Sequence, residues 1–360
     1  MTHEVIGRHR DEADPAARDG TTMTTGTATR TSGGVRRQDG RRRERRERTL
    51  TAATTRLAGI LLSPTLLVLG LVVFYPLLSA LRQSFFTEND ELDAEGFVVE
   101  GEKFNGLGHY FDAIAGEGAP RFWNAVWNTT MFTTTTVVLE VVLGMAMALV
   151  MHRAFRGRAL VRASILVPWA IPTAVSGLLW RWIFAPDGIA NEVLGQQVVW
   201  SADGPQAQLA VIIAEVWKTA PFVGLLTLAG LQVIPGEVYE AAVVDGAGGW
   251  RRFLHITLPL VKPALLVAVL FRVLDALRMF DLPFVLVGQQ KQSVETLSML
   301  AWQEATNVRY GAAAAYATIM FLYVALVAFA LVRLLGTDVV GEARSQLRSR
   351  RVRSREAVVA

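Results

Sequence analysis

The sequence predicts an all-α integral membrane protein with six transmembrane helices. Three observations carry this. Hydrophobic residues make up 52% of the 360-residue chain and charged residues only 19%, a balance unlike that of ordinary soluble domains. The apolar residues gather in runs of about 20 or more, the length that crosses a hydrocarbon core. Arginine concentrates in the segments that an even number of spans would place on one side.

The first run, Leu57–Leu81, carries no charge. The tail before it is too long and too basic for a cleavable signal, so this run is expected to remain as a span. Thr129–Met151 is interrupted only by Glu140, and Ala159–Phe184 carries Arg162 and Arg181 near its ends. Gln208–Ile234 contains Glu215 and Lys218. Ala264–Gly288 is the most charged run, and Gly311–Val332 has no charge.

The connections set the orientation. Thirteen arginines precede Leu57, three lie in His152–Arg158, and seven follow from Arg333 onward. The connection 185–207 has no Lys or Arg. By the positive-inside rule both termini are expected to face the cytoplasm. Segment 82–128 is then an external loop and 235–263 a cytoplasmic one. Residues 1–56 read as a disordered arginine-rich tail and 336–360 as a basic cytoplasmic tail. The run "GRRRERRERT" suits a solvated orientation signal or anionic lipid headgroups. No aromatic residue interleaves the arginines to stack bases, which argues against nucleic acid.

Several chemistries are excluded or unsupported. The chain has no cysteine, so disulfides and cysteine-held clusters are ruled out. Its five histidines have no zinc-ligand spacing. No Ser-His-Asp set stands out. No G-x-x-x-x-G-K-[ST] phosphate loop occurs, so the chain is not expected to hydrolyse ATP.

The cytoplasmic stretch Glu240–Pro263, "EAAVVDGAGGWRRFLHITLPLVKP", is the most informative segment. Pro235 and Gly236 end the fourth run. Residues 237–244 can form two helical turns with Glu237, Glu240 and Val244 on one face. Gly246 permits a turn, and Asp245 is placed to cap a second short helix. Trp250, Phe253, Leu254 and Ile256 give that helix an apolar edge. Pro259 and Pro263 suit the entry turn of the fifth span. Acidic residues, small residues and one bulky aromatic suit docking in a cleft of another protein.

Here the chain resembles permease subunits of binding-protein-dependent ABC importers. Glu240, Ala241, Ala242, Asp245, Gly246, Ala247, Phe253, Ile256, Leu258 and Pro259 occupy the positions of their "EAA" loop. "VPWAIPTAVSGLLWRWIF" and "DALRMFDLPFVLVG…VETLSMLAWQEA" are similar to the sugar branch, related to maltose, glycerol-phosphate and trehalose permeases. The resemblance spans roughly 57–335. It implies the type I ABC importer permease (MetI-like) fold and import of a carbohydrate, a di- or oligosaccharide such as trehalose or maltose. It implies that those ten residues couple the spans to a separate ABC ATPase dimer, which holds ATP and Mg while this chain holds no cofactor. It also implies a second homologous permease and an extracytoplasmic sugar-binding protein or lipoprotein as partners. One departure stands out. Relatives often carry a glycine-rich "GGGP" after the fifth span, and this chain has Gly288-Gln289-Gln290-Lys291, which bears on the outer loop's conformation and its fit to a binding protein.

Charges inside spans are costly and usually face a bundle interior or a water-filled cavity. Arg272, Asp275, Arg278 and Asp281 recur every three residues, a spacing that lines a cavity or neutralises itself along the helix. Glu140 suits a substrate contact or a structural hydrogen bond. Glu215, Trp217 and Lys218 combine an aromatic face with polar groups, as a carbohydrate requires, while Glu215 and Lys218 also have the spacing of an i, i+3 pair. The substrate-pathway candidates are therefore Glu140, Glu215, Trp217, Lys218, Asp275, Arg278 and Asp281. Trp169, Trp180 and Trp182 suit interfacial anchoring, and Gly144 with Ala148 suits helix packing. Three other readings stay open: the same architecture with another solute such as glycerol-phosphate or a polyamine, an ion-driven carrier, and a membrane-embedded enzyme.

Overall fold

Among the described residues the long apolar runs become helix. The structure, a computed structural model, describes residues 57–88 and 101–359, with side chains as far as Leu334. The arginine-rich tail, part of the external loop and the side chains of the basic C-terminal tail lie outside the described residues. A boundary between two units falls between Val72 and Val73.

Helix α1 (Leu57–Gln83) is apolar along its length, with a mean hydropathy of 2.5 in its most apolar window, and contains a π-helical turn at Gly70–Phe74. The segment after α1 holds an antiparallel strand pair, β1 (Phe86–Glu88) and β2 (Glu102–Phe104), that pairs Phe86 with Phe104. It continues into α2 (Gly108–Ala115). The next long helix, α3 (Ala119–His152), begins ten residues before the apolar run does. It is followed by α4 (Arg158–Ala170), α5 (Thr173–Ile183) and the short α6 (Ile189–Leu194). Then come α7 (Pro205–Gln232), α8 (Gly236–Val244) and α9 (Gly249–Ala276). The chain closes with α10 (Asp281–Leu286), α11 (Leu297–Thr306) and α12 (Tyr310–Val359).

Among the described residues five helices are long and apolar enough to cross a membrane, or six when α4 and α5 count as one span bent by 97°. The sequence led us to expect a single run, Ala159–Phe184. The bend has a local cause. Pro168 sits in the last turns of α4 and Pro172 follows Ile171, whose ψ of 134° is extended. A residue before proline is pushed out of the helical region.

The fifth long helix also differs from expectation. It starts at Gly249, inside the stretch read as a loop, and stops at Ala276 rather than near Gly288. Pro259 and Pro263 therefore lie within it. A π-helical turn, Phe253–Thr257, comes just before Pro259, and the Leu258 N–H reaches back five residues to the Phe253 carbonyl. Such a wide turn rearranges the ladder where proline supplies no donor. Beyond Ala276 the chain turns, and Asp281 opens α10. Arg272 and Asp275 thus share a helix, while Arg278 and Asp281 do not continue their series.

Helices α3, α7 and α9 form the centre. Gly144 lets α3 and α7 approach closely. A Cβ there would lie 2.8 Å from the Val223 Cβ and 2.9 Å from the Gly224 nitrogen. Ala148 beside it is fully buried, which agrees with a packing role for the pair.

The segment after α10 is held by side chains from distant elements. The Asn128 amide donates to the Gln292 and Glu295 carbonyls at 2.7 and 3.0 Å. The Asp203 carboxylate accepts the backbone N–H groups of Gln292 and Ser293 at 3.2 and 2.8 Å. Hydrogen bonds from Ser293 hold the Asp203 carboxyl below its usual range. Arg121 donates to Glu295 at 2.5 and 2.9 Å. In Gly288-Gln289-Gln290-Lys291, Gly288 has φ +103° and Gln290 has φ +57°. A side chain thus occupies one of the two left-handed positions of this turn.

Candidate functional site

Charged residues from three helices converge near the middle of the central group. Arg272, on α9, is 2% exposed, and Glu140, on α3, is fully buried. The guanidinium meets the Glu140 carboxylate in a bidentate pair, Nε to Oε2 at 2.6 Å and Nη2 to Oε1 at 2.9 Å. Its Nη2 also reaches Glu215 Oε1 on α7 at 3.1 Å, and its Nη1 pairs with Asp275 one turn on. The Thr219 hydroxyl donates to Glu140 at 2.7 Å. A planar, permanently charged fork suits three carboxylates at once, which a lysine could not arrange.

One side of this hub opens into a cavity of about 520 Å³. Trp169, at the end of α4, and Thr173, at the start of α5, form one wall. Lys218, Thr219 and Phe222 on α7 form another. Phe271, Arg272, Leu274, Asp275 and Arg278 complete it. The Trp169 and Phe222 rings stack with centroids 5.7 Å apart. Aromatic faces, a carboxylate and cationic donors around one space can take the C–H faces and hydroxyl rim of a carbohydrate. The volume lies in the range of small-molecule sites.

The seven pathway candidates separate in this geometry. Glu140 and Glu215 lie behind the cavity and hold Arg272. Lys218, Asp275 and Arg278 line it. The Lys218 ammonium donates to the Ile171 carbonyl at 2.7 Å, rather than serving mainly as an i, i+3 partner of Glu215. Trp217 turns away and packs edge-on against Trp180, with centroids 5.6 Å apart. Asp281 is exposed in the first turn of α10 and is not among the residues lining this cavity. Sequence reasoning placed Trp169 at an interface and passed over Phe222 and Phe271. The signal for Trp169 was its position between Pro168 and Pro172, since an interrupted span often marks a binding site.

The second feature is the segment from α8 into α9. Gly246, with φ +72°, makes the turn between them. The Gly246 N–H donates to the Val243 carbonyl at 3.0 Å and the Ala247 N–H to that of Ala242 at 2.9 Å. Asp245 ends α8, and Gly248 precedes α9, so the acid does not cap the second helix as expected. Most of this segment is exposed. Glu240, Ala241, Asp245 and Gly246 face outward, and Ala242 is buried. Val244 is 87% exposed and Trp250 73%, with the Trp250 ring stacked on Phe253 at 5.5 Å. Val244 and Trp250 are thus exposed apolar groups close in sequence to the exposed acids Glu240 and Asp245.

Residues 140–340 match the family described as Binding-protein-dependent transport system inner membrane component. The trehalose transport system permease protein SugA of Mycobacterium tuberculosis is 35% identical over 297 residues, 80% of this chain and 92% of that protein. The trehalose/maltose transport system permease protein MalF of Thermococcus litoralis is 36% identical over 234 residues, 63% of this chain and 78% of that protein. The sulfoquinovosyl glycerol transport system permease protein SmoG of Agrobacterium fabrum is 35% identical over 272 residues, 74% of this chain and 85% of that protein. Among solved structures, a bacterial ABC transporter involved in import of the acidic polysaccharide alginate shares the fold. Its TM-score is 0.68 at 19% identity, covering 80% of this chain and 99% of that one.

Proposed function

We propose a function from one premise: the chain belongs to the family of binding-protein-dependent transport system inner membrane components. It is a multi-pass membrane protein with the all-α fold of an ABC importer permease. It is the subunit through which a carbohydrate enters the cell, and its cargo belongs to the class of di- and oligosaccharides. It works with a second, homologous permease, an extracytoplasmic sugar-binding protein and an ABC ATPase dimer that holds ATP and Mg. Its termini face the cytoplasm.

One observation carries this reading. Helix α9 runs without interruption from the exposed segment at Gly249 to Arg272 and Asp275 at the cavity. At 1.5 Å per residue its 28 residues make a rod of about 42 Å. An ATPase that grips residues 236–259 moves that rod, and the rod moves the charged hub. ATP binding can favour one permease state only through contacts that differ between states. The docked segment supplies those contacts, and α9 transmits them to the cavity wall.

The cavity assignment is tested by Trp169→Ala and Asp275→Asn in the assembled importer, with uptake measured against carbohydrate concentration. Each is expected to raise the half-saturating concentration about tenfold, equivalent to about 1.4 kcal/mol of lost binding. Half-saturation unchanged in both variants would remove the cavity from the transport path.

A further inference from the structure

We infer that Lys218 is a positioning residue that holds the bend between α4 and α5 and thereby shapes one wall of the cavity. This rests on the reading of the cavity as the transport path. Carbonyl groups at the end of a helix lack partners within it, and the aligned peptides leave a partial negative charge there. At the end of α4 the chain turns by 97° between Pro168 and Pro172. The Ile171 carbonyl at that corner receives the Lys218 ammonium at 2.7 Å.

The placement of Lys218 supports more than local capping. It is 7% exposed, on a different helix 47 residues along the chain. The next residue, Thr219, donates to Glu140, so the latch and the charged hub occupy adjacent positions on α7. Trp169, two residues before Ile171, stacks on Phe222, four residues after Lys218. Two contacts thus tie the broken corner to one turn of α7, one polar and one aromatic, and both border the same cavity. An ammonium has three donors. One is used on Ile171, and Lys218 also lines the cavity, where a carbohydrate hydroxyl can accept another. The same side chain that fixes the bend is therefore available to the cargo.

The test places spin labels across the bend of the assembled importer in lipid nanodiscs. The chain has no cysteine, so Leu160→Cys on α4 and Leu178→Cys on α5, both exposed, give it one defined pair. A single narrow distance population is expected with Lys218 present. K218M is expected to broaden it into several, and K218R, which keeps a charged donor, to restore it. In uptake, K218M is expected to raise half-saturation about tenfold while the maximal rate stays within about twofold, the pattern of binding lost without loss of turnover. Should K218M fail to assemble, K218Q replaces it, with broadening again expected. Distance distributions identical to wild type in the neutral variant would overturn the assignment. Broadening with unchanged half-saturation would support the latch and instead remove the cavity from the transport path.

Discussion

Arg272→Met is expected to lower the stability of the purified complex by about 3–5 kcal/mol and to abolish carbohydrate uptake. The guanidinium is 2% exposed and faces carboxylates on three sides. Removing it leaves Glu140 and Glu215 buried without their cation, and that desolvation penalty is the source of the loss. The double variant Arg272→Met with Glu140→Gln is expected to regain part of the stability, because one of the stranded charges is gone. It is not expected to regain uptake, since α9 would still lack its tie to α3. Thermal unfolding in mild detergent and uptake in cells measure the two effects separately. A single variant that melts like wild type would show that the hub contributes little.

Gly246→Pro and Glu240→Lys are expected to leave the chain folded in the membrane and to reduce uptake to background. Gly246 has φ +72° and donates its N–H to Val243. Proline fixes φ near −65° and has no N–H, so both features of the turn are lost. Nothing lies within 4 Å of a Cβ at this position, so the damage stays in the turn and does not reach the core. Glu240 is exposed, and its reversal to lysine alters the docking surface without disturbing packing. Normal uptake in both variants would contradict a coupling role for the segment.

The fold was legible where one physical rule dominated. Long apolar runs gave the helices, and arginine placement gave the expected orientation. The ten-residue motif gave the segment after α7, including the turn at Gly246. Legibility failed where proline acted against a continuing apolar pattern. Hydropathy reads through Pro168 and Pro172, so the bend at Ile171 was hidden inside one run. It also reads Pro259 as an entry turn, although the π-helical turn at Phe253–Thr257 carries the helix past it. The charged hub was half legible. Charges within apolar runs marked Glu140, Glu215, Lys218 and Arg272 individually, yet the pairing of Arg272 with Glu140 joins residues 132 apart, and no local spacing encodes that. Trp217 falls outside the cavity lining for a related reason. Its neighbours Glu215 and Lys218 face the hub and the cavity, while helical rotation turns Trp217 toward Trp180.

The measurement that bears most directly on the account is the composition of the complex isolated through a tag on this chain. Wild type and Gly246→Pro are extracted in mild detergent, and the accompanying proteins are identified and quantified by mass spectrometry. The account requires a P-loop ATPase and a second permease with wild type, and loss of the ATPase alone from the variant. A variant that retains the ATPase in wild-type proportion and still imports carbohydrate would contradict coupling through residues 236–259.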